Sequence, residues 1–203
     1  MTRKKLQRGK FITLYGINNV GKSTQAQILT ERLINEGYDA EFLKYPNYGI
    51  EPTGKFLDNI LRSGSAQNIS EDELQMWFVL NRYQFQPDVE KKLAEGKILI
   101  VEDYTGTGIA WGTAKGLDRK WLEDVNQYLL KEDLAIYLYG QRHLGAKEAS
   151  HIHEQNDALI EKCRLVHEDL AERYKWKKVL VEGTKMETAE MIWEVVRKFL
   201  EAD

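Results

Sequence analysis

Apolar residues along the chain fall into two alternating patterns. Short, dense runs, Phe11-Ile12-Thr13-Leu14-Tyr15, Glu41-Phe42-Leu43, Ile98-Leu99-Ile100-Val101, Leu134-Ala135-Ile136-Tyr137-Leu138 and Lys178-Val179-Leu180-Val181, read as β-strands. Longer stretches between them repeat apolar residues at helical spacing. Strand, helix, strand in repetition predicts an α/β fold with a parallel sheet covered on both faces. Ala26, Leu29 and Leu33 mark one face of a helix ending near Gly37, where glycine accepts a left-handed cap. Ser70-x-x-Glu73 and Thr184-x-x-Glu187 read as capping boxes. The first opens a helix with the stripe Leu74, Trp77, Phe78, Phe85, and the second opens one facing inward with Ile192, Val195, Val196 and Phe199. Pro87 should kink or restart the former, since proline lacks the amide hydrogen a helix needs.

With 203 residues, 42% of them hydrophobic, the chain can build one substantial core, so a single domain is expected over 10–203. A basic arm precedes it at 1–9, where Arg3, Lys4, Lys5 and Arg8, followed by Lys10, read as solubilising charge. Elsewhere 29 basic and 32 acidic residues are interspersed, and a net charge of -3 gives no field for recruiting nucleic acid or an anionic membrane. The longest apolar stretches, five or six residues, fall far short of the roughly eighteen that span a bilayer. Cys163 is the lone cysteine, which excludes an internal disulfide, a zinc ribbon or a redox Cys-x-x-Cys pair and fits a reducing cytoplasm.

Between the first strand and the first helix, Gly16-Ile17-Asn18-Asn19-Val20-Gly21-Lys22-Ser23-Thr24 is a G-x-x-x-x-G-K-S phosphate loop in the context that motif requires. Its glycines let successive N–H groups turn inward onto phosphate oxygens, the helix N-terminus adds positive potential, Lys22 reaches the β and γ phosphates, and Ser23 is a Mg²⁺ ligand. Phosphoryl transfer also needs a carboxylate at the end of a buried strand to order the metal's shell. Glu102 and Asp103 stand there, directly after Ile98 to Val101. The nearby Gly106-Thr107-Gly108-Ile109-Ala110-Trp111-Gly112 has the wrong spacing for a dinucleotide fingerprint and reads as a turn and helix start that let substrate approach closely.

On the helix opened by Ser70, Phe78 and Arg82 lie four residues apart, on one face. A ring that stacks on a base beside a guanidinium that donates to its carbonyl edge makes a base-reading pair, although the same stripe also serves core packing. His151-x-His153, with His143 and His167 elsewhere, lacks a third ligand at a metal-binding spacing. Glu161, Lys162, Arg164, Glu168 and Glu172 read as a solvated helix face.

Together these residues resemble the thymidylate kinase family from about Lys10 to the C-terminus. The matching positions are Lys22-Ser23-Thr24, Tyr45-Pro46-Asn47-Tyr48, Phe78 to Arg82, Glu102-Asp103-Tyr104 with Thr107 and Ala110-Trp111, and a late Val181 to Lys185 segment. The resemblance implies a P-loop NTPase three-layer sandwich with a five-stranded parallel sheet, a small lid at about 140–156, and a homodimer. It implies transfer of the ATP γ-phosphoryl group to dTMP with Mg²⁺. By the same likeness Phe78 stacks on thymine, Arg82 bonds the pyrimidine edge, Tyr48 lies near the acceptor phosphate, and Trp111 packs on the sugar. Tyr104, Thr107 and Gly108 border the acceptor, and Thr184 and Lys185 lie beside adenine.

Three departures from the family pattern bear on mechanism. Glu102-Asp103 replaces an Asp-Arg pair and removes an arginine expected at the acceptor phosphate, so Lys44, Arg82 or Arg62 substitutes, or Mg²⁺ bridges the acidic pair to the phosphates; the metal is the preferred expectation. Asn18 stands where an acid usually reaches the sugar 3′-hydroxyl, which predicts looser sugar discrimination. Asn19 stands where some members carry an arginine, leaving Arg142 and Lys147 of the lid as transition-state cations, of which Arg142 is preferred. Two alternatives stay open: a kinase for another pyrimidine monophosphate such as dUMP, and a nucleotide-binding sensor that has lost transfer.

Overall fold

A computed structural model describes residues 6–62, 69–140 and 157–202. The lid expected at 140–156 lies outside them except for Gly140, as do Arg142, His143, Lys147, His151 and His153. The described elements are β1 (Phe11–Tyr15), α1 (Lys22–Asn35), β2 (Ala40–Lys44), α2 (Thr53–Arg62), α3 (Glu71–Ala94), β3 (Ile98–Glu102), α4 (Thr105–Ala114), α5 (Arg119–Asn126), β4 (Leu134–Gly140), α6 (Asp157–Arg173), β5 (Lys177–Val181) and α7 (Lys185–Glu201).

All five strands join one parallel sheet in the order β2-β3-β1-β4-β5. The central strands β1 and β3 are buried at every residue, as their unbroken apolar runs require, whereas β2 and β5 at the edges are half-buried or exposed apart from Val179. Helices cover both faces in two packed groups, α1 with α7, and α4 with α3, α5 and α6. The result is the three-layer P-loop sandwich anticipated above. β1 and β3 pair with Leu14 opposite Glu102, so the phosphate loop and the acidic pair leave adjacent strands at the same edge of the sheet. In doubly wound sheets ligands bind there, beyond the carboxyl ends of the strands.

Local expectations are met unevenly. Pro87 does not restart α3, which runs unbroken from Glu71 to Ala94. Buried Val79, Asn81 and Arg82 anchor the helix before the proline, and Val89 and Leu93 anchor it after, so tertiary packing outweighs the lost hydrogen bond. The buried face of α3 is also more polar than the predicted stripe. Gln75, Asn81 and Arg82 are buried, while Trp77, Phe78 and Phe85 are only half-buried. At α7 the capping box closes reciprocally through Thr184 and Glu187. At α3, Ser70 accepts from the Glu73 amide, and the Glu73 carboxylate turns to the Trp77 indole instead. Of the basic arm, residues 6–9 pack on the body: Leu6 lies against the core, Gly9 N–H donates to Leu93 O at 2.7 Å, and Arg8 pairs with Asp133 at 3.0 Å. Among the described residues no helix is long and apolar enough to cross a membrane.

Candidate active site

The phosphate loop is shaped by backbone geometry that few residues tolerate. Gly16 has φ 145°, and a Cβ there would lie 2.5 Å from the Leu138 carbonyl oxygen; Gly21, with φ 101°, sits immediately before α1. Asn19 also takes a left-handed conformation, φ 63°, which asparagine accepts more readily than most residues. Lys22 folds back over the loop and donates to the carbonyls of Gly16 (2.9 Å) and Ile17 (3.0 Å), with its ammonium 3.7 Å from Asp103 Oδ1. Phosphate oxygens would compete for these same donors.

Opposite the loop, β3 ends at Glu102, and the chain turns through Asp103 at φ 61°. Glu102 is 4% exposed. Its Oε1 lies 3.0 Å from Lys44 Nζ, while Oε2 is buried without a hydrogen-bond partner. An unpartnered buried carboxylate oxygen is costly and fits a hard cation. Asp103 is held by the Thr107 hydroxyl, which donates to Oδ1 at 2.7 Å. Burial alone would lower the Lys44 pKa, but the Glu102 and Asp103 carboxylates outweigh it and raise the pKa above its ordinary value. Of the three cations weighed for the missing arginine, Lys44 is the one seated beside the acidic pair. The Arg82 guanidinium is turned toward α4 and α5, and the side chain of Arg62 lies outside the described residues.

Arg82 is fixed from behind. Its Nη2 donates to Tyr104 O at 3.0 Å and its Nη1 to Asn126 Oδ1 at 3.1 Å, while Nε has no partner. Burial lowers its pKa, against the opposing influence of the Tyr104, Tyr15 and Tyr45 hydroxyls and Asp103. Burial likewise keeps Tyr45 and Tyr104 as neutral phenols.

These parts surround one cavity of about 520 Å³. It is lined by Asn18, Asn19, Gly21, Lys22, Ser23 and Thr24 from the loop, Glu102 and Asp103 from the strand end, and Tyr48, Phe78, Arg82, Tyr104, Thr107, Gly108 and Trp111 from the acceptor side. Phe78 and Arg82 therefore face the space in front of Lys22. Gly16 and Val20 do not line it. Gly16 sets the turn, and the Val20 side chain is wholly buried in the core. Thr184 and Lys185 also stand apart from it: the Thr184 hydroxyl caps α7, and the Lys185 carbonyl accepts from Gln25 Nε2 at 2.8 Å. Arg142 lies outside the described residues.

Sequence reasoning missed several lining and supporting groups. Gln75, Lys115 and Leu61 also line the cavity, as do Leu74, Tyr45 and Pro46, which the sequence placed in the α3 stripe and in the motif after β2 without a site role. Asn81 clamps the loop that carries Tyr48, accepting from Asn47 N–H at 2.8 Å and donating to Asn47 O at 2.9 Å. Its one available signal was a polar residue directly beside Arg82 on the same helix. His167 is structural: Nδ1–H donates to Cys163 O at 2.9 Å, and burial lowers its pKa to about 3. Among the described residues no group of three or more His, Cys, Asp or Glu side chains is placed to hold a metal. Ser23 with Glu102 still suits Mg²⁺, which takes one or two protein ligands and completes its shell with water and substrate phosphates.

A sequence model described as thymidylate kinase matches residues 14–194. The thymidylate kinase of Homo sapiens is 32% identical over 178 residues, covering 85% of this chain and 82% of that protein. That of Dictyostelium discoideum is 29% identical over 175 residues, covering 85% and 78%. The solved structure of thymidylate kinase from Candida albicans superposes with a TM-score of 0.77 over 94% of this chain and 92% of its own, at 22% identity, and so shares the fold.

Proposed function

The chain belongs to the thymidylate kinase family, and on that footing we propose that it is an ATP-dependent phosphotransferase that converts dTMP to dTDP. The observation that carries this is the single cavity in which the phosphate loop faces Phe78 and Arg82, since a direct transfer needs donor and acceptor side by side with water excluded.

On binding ATP, Lys22 exchanges the Gly16 and Ile17 carbonyls for β and γ phosphate oxygens, and the backbone N–H groups of Asn18 to Thr24 cradle the rest. Ser23 and Glu102 would hold Mg²⁺, which when bound neutralises charge on the transferring group. On the other side Phe78 stacks on the base, Arg82 donates to its carbonyl edge, and Trp111 lies against the sugar. Lys44, half-exposed and already beside Glu102, supplies the positive charge that the acceptor phosphate would otherwise take from an arginine at position 103. Arg142 belongs to the same proposal as the cation that meets the developing charge. A cytoplasmic setting and a homodimer packed through helices complete it; α3 offers exposed Met76 and Leu80 one turn apart on its outer side.

The test is ADP formation from Mg²⁺·ATP over a panel of deoxynucleoside monophosphates. The expected result is the highest kcat/KM with dTMP. Nucleotide binding that Lys22→Ala abolishes, with no ADP formed from any acceptor, would reverse the proposal in favour of a sensor.

A further inference from the structure

The base end of the cavity contains a polar side chain that no role so far has used. Gln75 is 3% exposed, yet among the described residues its carboxamide has no hydrogen-bond partner, and it lines the cavity. It lies three residues before Phe78 and seven before Arg82, which puts all three on one face of α3. Gly108 of α4 marks where their tips meet. A Cβ built there would lie 2.9 Å from Arg82 Nη2 and 3.2 Å from Gln75 Oε1, so the guanidinium and the carboxamide converge on one spot. A carboxamide that lines a substrate cavity beside an arginine, with no bond to another described residue, has its donor and acceptor capacity available to a bound base.

The chemistry of the two groups divides the work. A guanidinium only donates, so Arg82 can satisfy the O4 carbonyl of a 4-oxo pyrimidine but not its N3–H. A carboxamide both accepts and donates, which matches the adjacent N3–H and O4 in a paired contact. We propose that Gln75 is a specificity-determining residue of the acceptor site: Oε1 accepts from the base N3–H, and Nε2 donates to O4 alongside Arg82. With Arg82 beside it the amide cannot simply turn over to suit a 4-amino pyrimidine, because the amino group would then face the guanidinium donor to donor. The pair therefore selects a 4-oxo pyrimidine with a free N3–H. This rests on the kinase reading above for the identity of the acceptor.

The experiment titrates the full-length chain with dTMP and with N3-methyl-dTMP, in wild type and in Gln75→Leu, and runs the kinase assay alongside. Wild type should bind dTMP about a hundredfold more tightly than the N3-methyl compound, since a site built to hydrogen-bond a substrate N–H rejects the analogue lacking it. Gln75→Leu should lose roughly tenfold to a hundredfold in dTMP affinity and bring the ratio between the two ligands near unity, with ATP binding unchanged. Gln75→Met, close in length and volume, should behave the same and serves if the leucine variant folds poorly, as read from its thermal melt.

Retention of the wild-type ratio in either variant overturns the proposal and leaves Thr107 as the acceptor for N3–H. Wild type that binds dTMP without phosphorylating it removes the kinase reading while the affinity ratios still decide Gln75. Wild type that does not bind dTMP overturns both.

Discussion

Glu102 is where stability and function should oppose each other most clearly. Its side chain is 5% exposed, one carboxylate oxygen is paired with Lys44 at 3.0 Å, and the other is buried without a partner. Leaving a charged oxygen in that state costs at least about 1–3 kcal/mol, the range for a neutral group. The Lys44 contact returns at most about 1 kcal/mol, because half of the lysine side chain is in solvent. In Glu102→Gln the amide oxygen keeps Lys44 and the buried charge disappears, although its NH₂ group inherits part of the unmet burial. The ligand-free variant should therefore be more stable by about 1 kcal/mol, which for a chain this long raises Tm by roughly 2–4 °C. Function should move the other way, with kcat falling on the order of a hundredfold or more as the metal's carboxylate is lost.

Thermal melts with and without a non-hydrolysable ATP analogue, in EDTA and in Mg²⁺, read both sides. Ligand stabilisation should grow on adding Mg²⁺ for the wild type and stay flat for the variant. A variant that melts below wild type without ligand and still gains the full Mg²⁺-dependent increment would refute a metal-holding role for Glu102.

Three further substitutions probe separate parts of the site and core. Arg142→Ala should lower kcat by about 10³-fold while the KM for ATP stays within about threefold, measured by steady-state kinetics; an unchanged kcat removes Arg142 from the mechanism. Gly108→Ala places a methyl 2.9 Å from Arg82 Nη2 and 3.2 Å from Gln75 Oε1, both ends of flexible side chains, so the chain should fold while the KM for dTMP rises about tenfold and that for ATP holds. His167 stays neutral in the folded protein, burial having lowered its pKa from 6.5 to about 3. Below pH 6.5 the unfolded chain takes up a proton that the native state refuses until about pH 3. Stability from this group is thus full above pH 6.5 and falls by up to about 1.4 kcal/mol per pH unit below it. Urea unfolding of His167→Leu should be correspondingly less pH-dependent between pH 6 and 4, and an identical slope in both proteins would contradict this assignment.

The strands were legible because burial on both faces leaves a continuous apolar signature, and β1 begins and ends where its run does. The phosphate loop was legible because its function rests on consecutive backbone groups, so the spacing is itself the geometry. Side chains that meet only in three dimensions were not. Gln75 carried no signal of its own, and nothing near it in sequence announces Gly108, thirty-odd residues away, as its neighbour. Asn126 supports Arg82 from a different helix, 44 positions along the chain. Lys44 was legible only as one of three candidate cations, and it is the pairing of β2 with β3, Lys44 opposite Glu102, that seats it beside the acidic pair. Pro87 carried a strong local signal that packing on both sides of it overrode.

The most direct test of two nucleotides sharing one cavity is calorimetric titration with adenosine and thymidine joined through their 5′ positions by a chain of five phosphates. One molecule should bind per chain, saturating ATP or saturating dTMP should each displace it, and both Lys22→Ala and Arg82→Ala should weaken it by tenfold or more, since each removes a charged contact at one end. Binding that only ATP displaces, with Arg82→Ala matching wild type, would place the second nucleotide elsewhere and contradict a shared donor and acceptor site.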